Sequence, residues 1–197
     1  QFAQYKNKYN IRVGLIRKPR LGNTNNIRYA TKKGWIFPGG NLLFQTDSEA
    51  SLLQTESNLS LSYAEGRCLD YTTPEARQWY KNKHTKFYSD GPSYWWNDEG
   101  ETDYFTYFWW AMSEVAALES IDASKRFFSI NRAFSPGIAR LGVASWTGDV
   151  KPDWHDLYGT PGMVLNWALA GSPYVTSDIG GFAGETNGKL LTRWMQL

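Results

Sequence analysis

The chain has 197 residues, which is enough for one domain with a substantial core, and no apolar run approaches the length of a membrane span. Its net charge is only +2, and apolar residues interrupt the basic residues before position 34, which favours a solvated face over a nucleic-acid-binding surface. A single cysteine and two distant histidines exclude an internal disulfide framework and argue against a metal site built from these residues.

The N-terminal part of the sequence predicts few regular elements. An apolar, β-rich run at residues 11–19 predicts a strand that proline ends. Residues 20–66 are polar and aromatic without a clear period, and we expect a long loop or an insertion there. The segment Thr72–Glu75 predicts a helix start, with a threonine cap, a proline in the first turn and an acid near the positive helix end. This helix is predicted to run to about Tyr88.

Strands and helices alternate in the rest of the chain. Predicted strands cover residues 93–98, 126–131, 142–146 and 173–178, and predicted helices cover residues 104–118, 154–169 and a last segment from about 187. This alternation is typical of parallel βα units.

Polar residues follow four of the predicted strands at their C-terminal ends, namely Asp98, Arg132, Asp149 and Asp178. In a (β/α)₈ barrel this end of the strands carries the active site. A doubly wound sheet has its site at a single switch point and does not require polar residues at four strand ends. The pattern therefore favours an α/β fold of the (β/α)₈ TIM-barrel class.

Two common catalytic motifs fail in this sequence. Residues 180–190 resemble a phosphate-binding loop, but Ala183 and Leu190 stand where the motif requires a glycine and a hydroxyl residue. There is no GxSxG elbow, and neither histidine falls at a predicted strand end. A nucleotide-binding protein and a serine hydrolase are both disfavoured.

Carboxylates and aromatic rings remain as the candidate functional groups. Acetal cleavage needs one carboxylic acid to protonate the leaving oxygen and one carboxylate to stabilise or capture the oxocarbenium-like sugar. Asp98 and Asp149, at two different strand ends, could converge over one sugar. The 10 Trp, 12 Tyr and 10 Phe fit either a large aromatic core or a surface on which pyranose rings stack.

Most of the chain resembles one known family. The segments LDYTTPEARQWY, YWWNDEGE, SINRAFSPGIARLGVASWTGD and PYVTSDIGGF are similar in sequence and order to glycoside hydrolase family 31. The resemblance runs from about Tyr9 to the end and is weakest at residues 20–66, where only Phe37-Pro38-Gly39 is similar. It implies a retaining α-glycosidase with a TIM-barrel catalytic domain, a carbohydrate substrate and no metal or organic cofactor.

The resemblance implies roles for eight residues. Asp98 matches the nucleophile of the family and Asp149 its general acid/base, while Arg132 matches an arginine that hydrogen-bonds the innermost sugar. The other matches line the same pocket: Trp96, Trp146, Asp178, Phe182 and Phe37. In this mechanism Asp98 attacks the anomeric carbon, Asp149 protonates the leaving oxygen, and a covalent glycosyl-enzyme intermediate forms.

Three departures from the family pattern shape the expectation. Phe37 stands where many members have tryptophan. The acidic segment 98–101 replaces the Asp-Met-Asn-Glu of many α-glucosidases, which favours an α-galactoside or α-N-acetylgalactosaminide over an α-glucoside. Residues 1–197 correspond to about strands 3 to 7 of one catalytic barrel, so we expect a partial barrel that depends on the missing strands and β-domains of the same parent chain. An inactive carbohydrate-binding fragment and an α-transglycosylase are the alternatives.

Overall fold

The computed structural model describes residues 2–37, 67–99 and 105–197, and within them seven strands form two sheets. The larger sheet has five parallel strands in chain order: Gly14–Arg17 (β1), Tyr94–Asn97 (β4), Ser129–Asn131 (β5), Val143–Trp146 (β6) and Val175–Thr176 (β7). The smaller sheet is an antiparallel ribbon of Arg20–Leu21 (β2) and Arg67–Cys68 (β3). The predicted parallel α/β architecture is confirmed.

Helices precede, separate and follow the strands of the larger sheet, except that only a 3₁₀ turn lies between β5 and β6. They are Phe2–Tyr9 (α1), Thr24–Lys32 (α2), Pro74–Ser89 (α3), Thr106–Glu119 (α4), Trp154–Leu169 (α5) and Gly188–Trp194 (α6), with a 3₁₀ turn at Ile138–Leu141. Side-chain oxygens of Asp153 and Asn187 accept backbone N–H groups and so cap the starts of α5 and α6. No helix in the described ranges combines the length and the apolar character that crossing a membrane requires.

The structure corrects two local predictions. The segment expected to be a loop or an insertion contains β2 and α2 in its described part, while residues 38–66 lie outside the described residues. Helix α2 forms because Asn23 caps it and because Ile27 and Ala30 are buried, a pattern too short to give a clear period. Thr73 makes no side-chain cap for α3.

The main core lies between the larger sheet and helices α3 and α4. Its buried members include Leu69, Tyr71, Trp110, Ile138 and Val143. Because side chains alternate along each strand, Trp95 and Val143 face this core. The aromatic content therefore fills the core as well as the opposite face.

A buried row of polar residues crosses the sheet just before the strands end. Arg17, Asn97, Asn131 and Ser145 are register partners on neighbouring strands, and the last three are fully buried. Each buried polar group needs a partner, because an unpaired one costs about 1–3 kcal/mol. The row therefore demands helix residues that can hydrogen-bond it.

Glu114 of α4 meets this demand for Arg17 and Asn97, whereas Ser129 donates to Asn131 and Ser145 pairs with Ser172. Its carboxylate accepts a hydrogen bond of 2.8 Å from Asn97 Nδ2 and forms an ion pair with Arg17. Arg17 Nε in turn donates to Asn97 Oδ1 at 3.2 Å, so the three side chains close a ring. Tyr80 adds a third donor to Glu114 at 3.4 Å. This ring joins β1 and β4 to α4.

Burial sets the protonation of the groups in this network. It raises the pKa of Glu114 to about 7, although the Arg17 guanidinium lowers it. Burial, with the Arg17 charge in second place, lowers the pKa of His84 to about 2, so that ring is neutral near pH 7. Arg17 also stacks over the Trp95 ring, with its Cζ atom 3.7 Å from the centroid.

Exchanging the acid and the amide tests whether the ring is specific. In Glu114→Gln alone, the new side-chain amide donor can face the Asn97 amide donor without an acceptor between them. In Asn97→Asp alone, the new carboxylate faces the buried Glu114 carboxylate and repels it. We expect each single variant to lose about 1–3 kcal/mol of unfolding free energy. In the double variant the new amide at position 114 can donate to the new carboxylate at position 97, so at least half of the summed loss should return. Urea unfolding of the four proteins measures this, and simple additivity would contradict it.

The raised pKa of Glu114 also predicts a pH dependence of stability. Between its ordinary value of 4.5 and about 7, the folded chain binds more protons at this carboxyl than the unfolded chain does. This contribution to stability is full below the lower value and is lost as pH rises through about 7. The unfolding free energy of the wild type relative to Glu114→Gln should therefore fall across this window. A difference that stays constant in urea titrations at both ends would refute the assignment.

Candidate active site

The strand ends bring two aspartates and one arginine into direct contact. Asp98 directly follows β4, Arg132 follows β5, and Asp149 lies three residues after β6. Arg132 Nη1 is 3.3 Å from Asp98 Oδ1 and 3.3 Å from Asp149 Oδ2. One guanidinium nitrogen therefore bridges the two carboxylates, whose nearest oxygens can be no farther apart than twice that distance. We call these three residues the carboxylate cluster.

Backbone hydrogen bonds extend the sheet into the cluster. The N–H of Asp98 donates to the carbonyl of Arg17 at 2.9 Å, and the N–H of Arg132 donates to the carbonyl of Asn97 at 3.0 Å. The residues whose side chains form the buried ring thus supply the carbonyls that hold the cluster. The ring fixes where the Asp98 and Arg132 side chains begin.

A second group of charges lies beside Asp98, and the sequence reasoning missed its cations. Lys18 Nζ is 3.8 Å from Asp98 Oδ2, and both Lys18 and Arg20 form ion pairs with Glu99. Glu99 is buried and has a φ of 58°, a left-handed conformation that costs a non-glycine residue about 1–2 kcal/mol. The position of Lys18 directly after β1 is the signal that could have identified it.

Two tryptophans, near the C-terminal ends of β4 and β6, lie on the sheet face opposite the helix core. Trp96 and Trp146 contact each other edge to face, with ring centroids 5.5 Å apart and an interplanar angle of 79°. Trp146 is buried, whereas Trp96 is 40% exposed. A partly exposed indole at the strand ends that carry the aspartates can stack on the apolar face of a sugar ring.

Asp178, two residues after β7, completes the row of strand ends. Its Oδ2 atom is buried and has no hydrogen-bond partner in the described part of the chain. Burial raises the pKa of this carboxyl, and the charges of Asp149 and Asp98 raise it further, whereas Arg132 lowers it. Asp178 therefore keeps an unused hydrogen-bonding oxygen at the end of β7.

The two predicted phenylalanines lie in different surroundings. Phe182 is 59% exposed, and its N–H donates to the carbonyl of Val150 at 2.8 Å, next to Asp149 in the chain. Phe37 is half-buried, and its N–H donates to the carbonyl of Cys68 at the β2–β3 ribbon. The structure thus places Phe37 at the ribbon, and its role as a pocket residue stays a prediction.

Comparison with known proteins identifies the family. The chain matches the glycosyl hydrolases family 31 TIM-barrel domain over residues 1–197. The chain belongs to glycosyl hydrolase family 31. Both the family resemblance and the TIM-barrel class expected from the sequence are confirmed.

Curated members of family 31 share about a third of the aligned residues. Neutral alpha-glucosidase AB of Dictyostelium discoideum is 31% identical over 158 residues, which cover 65% of this chain and 17% of that protein. Alpha-glucosidase 2 of Bacillus thermoamyloliquefaciens is 33% identical over 156 residues, which cover 65% of this chain and 20% of that protein. The chain thus spans about a fifth of the length of these relatives.

Solved structures of family 31 share the fold. An alpha-xylosidase from a soil metagenome, complexed with xylose, superposes with a TM-score of 0.76 at 21% identity, over 99% of this chain and 31% of that one. A glucosidase II alpha subunit superposes with a TM-score of 0.71 at 23% identity, over 98% of this chain and 23% of that one.

Gly181 lies in the loop that carries Asp178, and its replacement tests how this loop packs against Pro152. It has a φ of 91°, and a Cβ atom there would overlap the Pro152 backbone. Gly181→Ala should therefore cost about 2–4 kcal/mol of unfolding free energy. Gly159→Ala is the matched control, because Gly159 lies in α5 with open space around the position of an added methyl group, and alanine should stabilise that helix by about 0.5–1 kcal/mol. Equal effects of both variants in thermal unfolding would contradict this packing.

Proposed function

We propose that residues 1–197 belong to one catalytic barrel of a retaining α-glycosidase, with Asp98 as nucleophile and Asp149 as general acid/base. The observation that carries the proposal is the Arg132 guanidinium that bridges both carboxylates. The upper limit on the distance between their nearest oxygens lies near the lower end of the range of about 6.5–9.5 Å that is typical of inverting enzymes. A spacing of about 5–5.5 Å, typical of retaining enzymes, fits within this limit. The geometry therefore favours direct attack by a carboxylate over attack by an interposed water.

The charges around the two carboxylates support different roles for them. Asp98 has Arg132 at one oxygen and Lys18 at the other, so two cations hold its carboxylate in place for attack as a nucleophile. Asp149 has the Arg132 contact and a side chain that is 43% exposed, so solvent water can reach it. In the proposed reaction Asp149 gives its proton to the leaving oxygen and later takes one from the attacking water.

The surrounding residues would hold the sugar. Trp96 offers a partly exposed ring for stacking, and Asp178 offers a carboxyl oxygen for a sugar hydroxyl. Arg132 can exchange part of its contact with the aspartates for a hydroxyl of the innermost sugar. Such contacts accelerate the reaction only where they strengthen in the transition state.

An α-glucoside is the substrate that we propose. The sequence-based preference for galacto-type sugars depended on the added acidity at Glu99. Lys18 and Arg20 form ion pairs with Glu99, so that acidity is locally balanced and gives no reason to prefer those sugars. The similar curated proteins are named as α-glucosidases, which favours the gluco configuration. A panel of nitrophenyl α-glycosides should show the α-glucoside cleaved faster than the α-galactoside.

Two alanine variants of the purified full-length parent enzyme separate the roles of the aspartates. Asp98→Ala should abolish turnover of every substrate, because no glycosyl-enzyme can form. Asp149→Ala should lose about 10²–10⁴-fold more activity on substrates with poor leaving groups than on activated aryl glycosides. With an activated substrate, added azide should restore turnover of Asp149→Ala and yield an α-glycosyl azide. Product analysis by NMR and the rate against leaving-group pKa measure both effects.

Asp122→Ala is the matched control for these variants. Asp122 lies just after α4 and pairs with Lys125, so its loss should leave the kinetics unchanged. If Asp149→Ala lost activity equally on all leaving groups and formed no α-azide, the acid/base assignment would be wrong. An inactive wild type that still binds the sugar would instead support a carbohydrate-binding role.

A further inference from the structure

A basic cleft lies at the edge of the sheet opposite the carboxylate cluster. It has a volume of about 480 Å³, and its charged lining residues are Lys6, Arg12, Lys125 and Arg126. Arg12 precedes β1 and Arg126 precedes β5, so the cleft lies beside the N-terminal ends of the parallel strands. Nothing in the proposed glycosidase reaction uses these residues.

The charge of the cleft is nearly uncompensated. None of its lining residues is acidic. Lys125 pairs with Asp122 at 3.5 Å, whereas Lys6, Arg12 and Arg126 form no ion pair within the described ranges. Four cations around one cavity contrast with a net charge of only +2 for the whole chain. Walls of one charge sign focus the field and attract a counter-charge.

The walls of the cleft are held by backbone packing. Gly91 lines it with a φ of 109°, and a Cβ atom at this position would overlap the backbone of Ala3 in α1. Glycine thus lets α1, which carries Lys6, approach the turn before β4. The N–H of Ser93 donates to the carbonyl of Val13 at 2.8 Å, which fixes the turn against the start of β1. The cleft is therefore a formed feature of the fold.

Ser93 adds an unused hydrogen-bonding group beside the cations. It lines the cleft, and its Oγ atom is buried without a hydrogen-bond partner in the part of the chain that the structure describes. A buried hydroxyl without a partner is unfavourable, and an oxyanion can accept its hydrogen bond. Cations with a hydroxyl and no carboxylate form a donor set suited to a phosphate group.

We propose that the basic cleft binds a small phosphorylated compound. Two or more negative charges would match the four cations, and the volume lies within the range of about 300–1,000 Å³ typical of small-molecule sites. Lys6 and Arg12 come from the segment before β1, and Lys125 and Arg126 come from the segment before β5, so a ligand with two phosphate groups can contact both pairs. The proposal is independent of the glycosidase assignment.

Calorimetric titration of the purified full-length parent protein with inorganic pyrophosphate tests this site. We expect saturable, one-to-one binding that weakens as sodium chloride is added, since exposed charges are screened by salt. Arg12→Gln with Arg126→Gln should weaken binding at least tenfold. Arg28→Gln with Lys32→Gln is the matched control, because it removes two exposed charges from α2 and should change the affinity less than twofold. Ser93→Ala should weaken binding about tenfold.

Several outcomes would overturn the proposal. Equal losses from both double variants would show a diffuse charge effect in place of a site. The absence of saturable pyrophosphate binding by the folded parent protein would refute it directly. Tighter binding to a single-stranded oligonucleotide or to anionic vesicles, with the same dependence on Arg12 and Arg126, would reassign the cleft to a macromolecule.

Discussion

The buried ion pair between Arg17 and Glu114 is the interaction on which the candidate site depends. The Glu114 side chain is fully buried, and its charge is tolerable there only because Arg17, whose side chain is 14% exposed, lies against it. The pair ties β1 to α4 and, through Asn97, to β4. The carbonyls of Arg17 and Asn97 then hold the amides of Asp98 and Arg132. The buried hydrogen bonds of Arg17, Asn97 and Glu114 thereby fix the positions of Asp98 and Arg132 at the strand ends.

Successive residues near the strand ends point to opposite faces of the sheet, and the two faces have different functions. Asn97 and Ser145 face the helices and satisfy buried hydrogen bonds, whereas Trp96 and Trp146 face the other side and offer aromatic surface. Because neighbouring residues of a strand point to opposite faces, a shift of one residue in register would exchange these tasks. Correct pairing of short strands is therefore as necessary for the site as the identity of its residues.

The sequence allowed prediction of the features that depend on local pattern. Alternating strands and helices indicated the parallel sheet, and helix α5 has the predicted bounds of 154–169. Features that depend on distant partners could not be predicted. Glu114 resembles an ordinary helix acid in sequence, and only the fold shows it meeting Arg17, 97 residues away. Lys18 and Arg20 were likewise missed, because their partner Glu99 is brought to them by strand pairing and not by sequence spacing.

The left-handed conformation of Glu99 has a consequence for how this protein can change over evolution. Glycine would relieve the backbone strain at position 99, yet it would leave Lys18 and Arg20 facing each other without their shared carboxylate. Replacing either cation alone would in turn leave part of the buried carboxylate uncompensated. We therefore expect the effect of a substitution at position 18, 20 or 99 to depend on the residues at the other two positions. Family members that carry glycine at this position should differ from this chain at one or both basic positions as well.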